Sequence, residues 1–121
     1  PHTEYLLKNI DRENARTCFD IGHANGFTKN LDEYDWSNIL NKVECVHLHD
    51  NDGSEDQHLI PGYGNVNFIK YLRKIIKINP NINLTMELYL RDYRKYPYDN
   101  LSPKEFFELA YLKICEIEKQ L

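Results

Sequence analysis

The sequence predicts an α/β fold in which parallel strands alternate with helices. Three short apolar runs have the composition of buried strands, and stretches with apolar residues at helical spacing lie between and after them. No internal repeat, Gly/Ser linker or low-complexity tract interrupts this alternation. Consecutive strand–helix–strand units form parallel sheets with right-handed crossovers. A chain of 121 residues suits one modest domain of this kind.

The first half of the chain is predicted to contain two of the three strands. A helix is expected from about Thr3 to Ile10, followed by a strand at Thr17–Asp20 that breaks at Gly22. A weaker helical stretch covers Trp36 to Asn41. The second strand runs from Val43 to His49, where apolar residues alternate with polar ones.

The second half is predicted to contain a helix, a strand and a final helix. Asn65 or Asn67 caps the first helix, which ends at Asn79 because proline follows. The third strand covers Asn83 to Tyr89. The last helix has the clearest start signal, and its cap, first-turn proline and capping-box acid are Ser102, Pro103 and Glu105.

Three strands make a poor sheet by themselves, so the length of the chain is compared with that of a complete barrel. A complete (β/α)8 barrel takes about 250 residues. Residues 1–121 therefore correspond to about half of such a barrel. An open parallel sheet exposes its edges, so the sequence also predicts self-association through those edges.

Polar residues fall at the carboxyl ends of all three predicted strands. Asp20 ends the first strand, His47 and His49 lie on one side of the second, and Glu87 lies between Met86 and Leu88 in the third. Parallel strands covered by helices are usually apolar throughout, so these residues stand out. Barrel enzymes place their sites at this end of the strands. Asp20, His47 and Glu87 together predict a site for a divalent cation with oxygen and nitrogen ligands.

Each of these residues has a simpler explanation when it is taken alone. A buried histidine is more often a hydrogen-bonded core residue than a ligand. Asp20 could cap the next helix, and Glu87 could pair with an arginine. Their joint occurrence at equivalent positions of successive strands favours the metal site, because buried carboxylates need a charge partner.

The segment from Asp50 to Gly64 is too polar and too rich in glycine and proline to form a regular element, so it is predicted to be a loop over the site. Long loops in compact domains are usually functional. Within it, Asp56 and His58 are candidate additional ligands within reach of His47. Gly62 and Gly64 would let the backbone approach a substrate closely. A plain solvated loop is the alternative.

Composition excludes several other classes of protein. The net charge of −4 argues against a nucleic-acid-binding surface. No apolar run is long enough for a transmembrane helix, and the N-terminal segment has no signal-peptide pattern. Cys18, Cys45 and Cys115 form no disulfide framework, so they are expected to be reduced thiols with structural roles in a cytoplasmic protein.

Two groups of residues resemble the xylose isomerase-like TIM barrel superfamily of sugar phosphate isomerases and epimerases. They are Asp20-Ile21-Gly22-His23-Ala24-Asn25 and His47-Leu48-His49-Asp50-Asn51-Asp52-Gly53, followed by Asp56-Gln57-His58, Pro61-Gly62-Tyr63-Gly64 and Glu87. The resemblance covers nearly the whole chain and implies the C-terminal half of the family's barrel. It is specific for the superfamily and weak for any one substrate.

The resemblance implies a metal-dependent reaction on a sugar or sugar phosphate. Asp20, His47 and Glu87 match three of the four metal ligands of the epimerase-like members, which use Mn²⁺, Zn²⁺, Co²⁺ or Mg²⁺. The family's other glutamate lies on an earlier strand. Glu87 would serve as one of two acid–base groups that move a proton through an enediolate, and His23 would touch the substrate. His49 and Asn25 are further candidates for metal or substrate contacts.

The same motifs resemble the class II apurinic/apyrimidinic endonucleases, which share this barrel. In that case the ligands of a three-zinc cluster would be Asp20, His23, His47, Asp56, His58 and Glu87. The segment from Tyr89 to Tyr98 mixes basic and aromatic residues that could stack on bases. The acidic net charge and the run from His49 to Gly53 favour sugar chemistry. A non-catalytic half-barrel that pairs with itself is the third hypothesis.

Overall fold

The computed structural model describes residues 2–10, 12–28, 31–90 and 98–121. Its three strands are β1 (Thr17–Asp20), β2 (Val43–Leu48) and β3 (Asn83–Met86), and they form one parallel sheet in the order β1-β2-β3. This confirms the predicted α/β fold with parallel strands. Asp20 is paired with His47 across β1 and β2, and Leu48 with Met86 across β2 and β3, so the carboxyl ends lie at one edge.

The strands end slightly earlier than the sequence predicts. β2 stops at Leu48 and not at His49, and β3 stops at Met86 and not at Tyr89. The backbone nitrogen of Glu87 still donates a hydrogen bond to the carbonyl oxygen of Leu48, at 3.1 Å. Glu87 therefore continues the direction of β3 although the regular ladder has ended.

Helices precede, connect and follow the strands, and the α-helices are as predicted with one exception. They are α1 (His2–Asn9), α2 (Ile21–Thr28), a short 3₁₀ turn (Leu31–Glu33), α3 (Ser37–Leu40), α4 (Phe68–Ile78) and α5 (Pro103–Glu118). The exception is α2, which begins where the sequence predicts only a break at Gly22. The carboxylate of Asp20 accepts a hydrogen bond from the backbone nitrogen of His23 at 2.8 Å, and this caps the first turn.

The predicted caps of the last two helices are confirmed. The side chain of Asn67 accepts a hydrogen bond from the backbone nitrogen of Lys70 at 3.1 Å. Ser102 and Glu105 form a reciprocal capping box at the start of α5, with Pro103 in the first turn. These local interactions satisfy backbone donors that a helix start leaves unpaired.

One face of the sheet is packed and the other is open. Val46 and Leu48 of β2 are fully buried in the apolar core, whereas Cys45 and His47, which alternate with them along the strand, are only partly buried. A second apolar cluster gathers Leu59 and Ile60 of the loop with residues of the α5 region, namely Tyr98, Phe106 and Ala110. None of the described helices is long and apolar enough to cross a membrane.

Candidate metal centre

The carboxyl ends of the three strands bring together Asp20, His47 and Glu87. One ligand atom from each residue lies within 4.8 Å of the other two. The Nδ1 atom of His47 is 2.8 Å from Oε2 of Glu87 and 3.5 Å from Oδ2 of Asp20. All three side chains are partly buried and face the open side of the sheet. The three residues that the sequence singled out as ligands are therefore neighbours in space.

The alternation of side chains along β2 and β3 directs His47 and Glu87 to the open side of the sheet. Met86 and Leu88, on either side of Glu87, pack against the second apolar cluster. Val46 and Leu48, on either side of His47, lie in the main core. Because successive side chains of a strand point to opposite faces, the residue between two core residues must face the open side.

Asp20 is the residue that links the most partners at this site. Its Oδ1 is 3.0 Å from Nε2 of His49, and its Oδ2 is 3.1 Å from Nδ1 of His23. Burial alone would raise the pKa of Asp20. The hydrogen bond from His49, the backbone hydrogen bond from His23 and the charges of both rings overcome this effect, so the pKa is lowered. Asp20 is thus held as a carboxylate, the form that binds a cation.

His49 is fully buried beside this carboxylate. Burial alone would lower its pKa, but the hydrogen bond and the charge of Asp20, with smaller contributions from Asp56 and Glu87, raise it. A Cβ atom on Gly22 would stand 2.4 Å from Cε1 of the His49 ring, so this ring can pack only against a glycine. The close approach explains why α2 contains Gly22.

Two residues of the site carry buried polar atoms that lack a hydrogen-bonding partner of good geometry. These atoms are Oδ2 of Asp20 and both ring nitrogens of His49. Buried polar atoms are normally satisfied by protein, water or an ion. A cation beside Oδ2 of Asp20 would accept its lone pair, and the group of Asp20, His47 and Glu87 fits a divalent metal with mixed oxygen and nitrogen ligands.

A second group of ligand-type side chains lies beside the first and consists of His23, His49, Asp56 and His58. Oδ1 of Asp56 is 2.9 Å from Nε2 of His58 and 3.3 Å from Nε2 of His23. The rings of His49 and His58 are stacked, with centroids 4.0 Å apart. Asp56 and His58, predicted as additional ligands within reach of His47, group with His23 and His49 and not with His47.

The backbone and ring of His58 are both constrained. Its φ angle is 49°, a left-handed conformation that a histidine rarely adopts. Its Nδ1 donates a hydrogen bond to the carbonyl oxygen of Glu87 at 2.9 Å, and its Nε2 lies 2.9 Å from Oδ1 of Asp56. Tyr89 stacks on the same ring with centroids 4.0 Å apart. Residues 91–97 of the predicted basic and aromatic segment lie outside the described residues.

Asp50 organises the loop that carries Asp56 and His58. It is fully buried, and its carboxylate accepts backbone hydrogen bonds from Asn51 at 2.9 Å, Val66 at 3.0 Å and Gly62 at 2.8 Å. A Cβ atom on Gly64 would stand 2.3 Å from Oδ1 of Asp50. In the structure both glycines of the predicted substrate loop thus serve this internal packing.

Sequence reasoning gave no separate role to Asp50 or Asn51, although both lie in the quoted motif. The side-chain amide of Asn25 donates to Oδ1 of Asn51 at 2.9 Å and to Oδ1 of Asn65 at 2.8 Å. Asn51 in turn donates to the carbonyl oxygen of Gly22 at 2.7 Å. Asn25, predicted as a metal or substrate contact, is buried in this amide network, which ties α2 to the loop.

An open cleft of about 360 Å³ adjoins Asp20 and His23. Its walls include both apolar and polar side chains, among them Cys18, Phe27, Tyr34 and Trp36. A cleft with an apolar lining and a few converging polar groups is the usual form of a small-molecule site. Asp20 and His23, which line this cleft, belong to the two ligand groups described above.

Comparisons with known proteins agree with this architecture. Residues 1–106 match the family described as xylose isomerase-like TIM barrel. The uncharacterized protein MJ1311 of Methanocaldococcus jannaschii is 35% identical over 120 residues, which cover 94% of the chain and 39% of that protein. The uncharacterized protein MJ1614 of the same organism is 32% identical over 81 residues, which cover 62% of the chain and 31% of that protein.

The chain thus spans less than two fifths of the length of MJ1311 and less than a third of that of MJ1614. No solved structure gives a significant match. The family match covers most of the chain and includes the strand-end residues that form both ligand groups. The chain therefore belongs to the xylose isomerase-like TIM barrel family.

Proposed function

We propose that the chain supplies the metal-binding and acid–base residues of an isomerase or epimerase that acts on a sugar or sugar phosphate. The convergence of Asp20, His47 and Glu87 from three successive strands is the observation that carries this proposal. It joins two anionic oxygens and an imidazole at the position where barrel enzymes hold their substrates. The buried Oδ2 of Asp20, which lacks a hydrogen-bonding partner of good geometry, supports the presence of a cation there.

In this proposal Asp20, His47 and Glu87 hold a divalent metal ion such as Mn²⁺, Zn²⁺, Co²⁺ or Mg²⁺. The bound ion would supply Lewis-acid polarisation of a substrate carbonyl. Glu87 is partly exposed, so its carboxylate can also exchange a proton with a carbon next to that carbonyl. Loss of that proton gives an enediolate, and its return on the same or a neighbouring carbon completes an isomerisation or epimerisation.

His23 is proposed as a substrate contact. Its ring is about half exposed, and it lies between Asp20 and Asp56. A sugar hydroxyl that replaces the exposed Asp56 carboxylate beside Nε2 would accept a hydrogen bond from this ring. His49, which is buried, would act by holding Asp20 in place and would not touch the substrate.

Epimerisation needs acid–base groups on both faces of the reacting carbon. Glu87 supplies one, and the proposal places the second on a strand outside these residues, as the resemblance implies. We therefore propose that residues 1–121 form the C-terminal half of the barrel and have little activity by themselves. The predicted cytoplasmic location and self-association stay predictions.

Deuterium incorporation tests the proposed reaction. The full-length protein that carries these residues is incubated in D₂O with Mn²⁺ and a panel of keto-sugars and their phosphate esters, and the recovered sugars are analysed by mass spectrometry. We expect one deuterium at the carbon next to the carbonyl and loss of this label in Glu87→Gln. Glu44→Gln, an exposed strand residue outside the site, is the matched control. Absence of exchange across the panel would contradict the proposal.

A second candidate function is a zinc phosphodiesterase of the class II apurinic/apyrimidinic endonuclease type. The group of His23, Asp56 and His58 favours it, because this group provides a second cation site beside Asp20. The two functions differ in metal content. One metal ion per full-length protein favours the isomerase, and three zinc ions favour the endonuclease. Cleavage of duplex DNA with an abasic site, without deuterium exchange on sugars, would reverse the ranking.

A further inference from the structure

A pair of thiols lies on the open face of the sheet, one pleat below the carboxylate site. Cys18 of β1 and Cys45 of β2 are directly paired in the parallel register. Each precedes a residue of the metal site by two positions, so Cys18 shares a face with Asp20 and Cys45 shares a face with His47. The sequence predicted structural roles for all three cysteines, but the structure leaves Cys18 exposed.

His47 completes a group of three ligand-type side chains with these thiols. One ligand atom of each of Cys18, Cys45 and His47 lies within 4.8 Å of the other two. The Sγ atom of Cys45 is also 3.6 Å from Oγ1 of Thr85, which borders the group on β3. His47 therefore belongs both to this sulfur-containing group and to the carboxylate group with Asp20 and Glu87.

We propose that Cys18, Cys45 and His47 form a separate site for a thiophilic divalent cation, with zinc as the natural occupant. Two thiolates and an imidazole are ligands that zinc prefers, whereas Mg²⁺ and Mn²⁺ prefer oxygen. Three protein ligands leave a fourth position open, because Cys18 and His47 face the open side of the sheet. Binding converts each thiol to a thiolate and releases its proton to the buffer.

The site would make the chain sensitive to which metal is present. His47 is common to both groups, so a cation bound by the thiols would be coordinated by the same imidazole as a cation bound by the carboxylates. Zinc or cadmium at the thiols is therefore expected to weaken Mn²⁺ binding at Asp20 and Glu87. This property is independent of the reaction that the carboxylate site performs.

Cobalt titration tests the site directly, because Co²⁺ bound to thiolate shows a sulfur-to-metal charge-transfer absorption in the near ultraviolet that oxygen and nitrogen ligands do not give. The reduced chain is titrated with CoCl₂ without oxygen and with a non-thiol reductant. We expect the band to appear, to be lost in both Cys18→Ser and Cys45→Ser, and to be displaced by Cd²⁺ but not by Mg²⁺. Cys115→Ser, which changes the cysteine of α5, is the control and should keep the band.

Two results would overturn the proposal. One is the absence of a charge-transfer band in the wild-type chain at saturating Co²⁺. The other is a band that persists in Cys18→Ser and Cys45→Ser but is lost in Cys115→Ser. Because Cys18 is exposed, serine there is not expected to disturb the fold, and circular dichroism of each variant checks this. Glu87→Gln should keep the band, which separates this site from the carboxylate site.

Discussion

The backbone of Gly22 and the ring of His49 are in a contact that requires glycine at position 22. A Cβ atom on Gly22 would lie 2.4 Å from Cε1 of His49, 2.5 Å from Nδ1 and 2.5 Å from Nε2. His49 is fully buried and stacks on His58 on its other side. The ring is therefore held between the first turn of α2 and the loop.

Alanine at position 22 should displace this ring. We expect Gly22→Ala to lower the free energy of unfolding by about 1–3 kcal/mol, the usual cost of overpacking a core. Gly26→Ala is the matched control, because it lies in the same helix and its Cβ would approach no closer than 4.0 Å to the Asn51 side chain. It should be neutral or stabilising by about 0.5–1 kcal/mol. Urea unfolding measures the free energy of unfolding of both variants. Equal changes in Gly22→Ala and Gly26→Ala would contradict this expectation.

Asp50 should stabilise the loop through the position of its hydrogen-bond acceptors as much as through its negative charge. Its two carboxylate oxygens accept three backbone hydrogen bonds, and in Asp50→Asn the new amide would face a backbone donor such as Gly62. We expect a loss of about 1–3 kcal/mol in stability. Asp52→Asn, an exposed residue of the same loop, should change stability much less. Faster proteolysis within residues 50–66 of Asp50→Asn alone would support this role.

The ion pair of Asp20 and His49 predicts a pH dependence in the metal-free protein. The pKa of Asp20 is lowered from 3.8, so its contribution to stability is lost as the pH falls through the lowered value. The pKa of His49 is raised from 6.5, so its contribution is complete below 6.5 and is lost as the pH rises through the raised value. The pair therefore contributes most between these two ordinary values.

The measurement is urea unfolding of wild type and His49→Gln in the presence of a chelator. The difference in stability between the two proteins should be larger at about pH 5 than at about pH 8. His2→Gln, at an exposed position of α1, should show no such trend. If the difference in stability between wild type and His49→Gln is the same at both pH values, the ion pair does not contribute to stability as expected.

The described part of the chain has strand edges at β1 and β3 that no other described strand covers. We expect the isolated chain to associate at micromolar concentration, because uncovered edges pair readily. Thr85→Lys, which places a charge at an exposed position of β3, should shift the sedimentation coefficient toward that of a monomer. Thr3→Lys on α1 is the control. A wild-type chain that sediments strictly as a monomer would contradict this prediction.

Much of the fold was predictable because its signals are local. Asn67 and the Ser102–Glu105 box mark helix starts through hydrogen bonds that span only three residues. His47 and Glu87 could be identified as facing the side of the sheet opposite to the core, because each lies between two apolar neighbours. The parallel order of the strands then follows from their alternation with helices.

The remainder depends on contacts between distant residues. The sequence of α2 contains two glycines and has no strong apolar face, so the helix was not predicted. It is fixed by the Asp20 cap and by the Asn25–Asn51 hydrogen bond, which spans 26 residues. The grouping of Asp56 and His58 with His49 likewise depends on how Asp50 folds the loop, and no spacing in the sequence shows that.

The central claim is that Asp20, His47 and Glu87 bind one divalent cation, and calorimetric titration with Mn²⁺ tests it most directly. Mn²⁺ prefers oxygen and nitrogen ligands and so reports this site and not the thiols. We expect His47→Ala to weaken binding by about tenfold or more, and His2→Ala on α1 to leave it unchanged. Equal Mn²⁺ affinity in wild type and His47→Ala would contradict the claim.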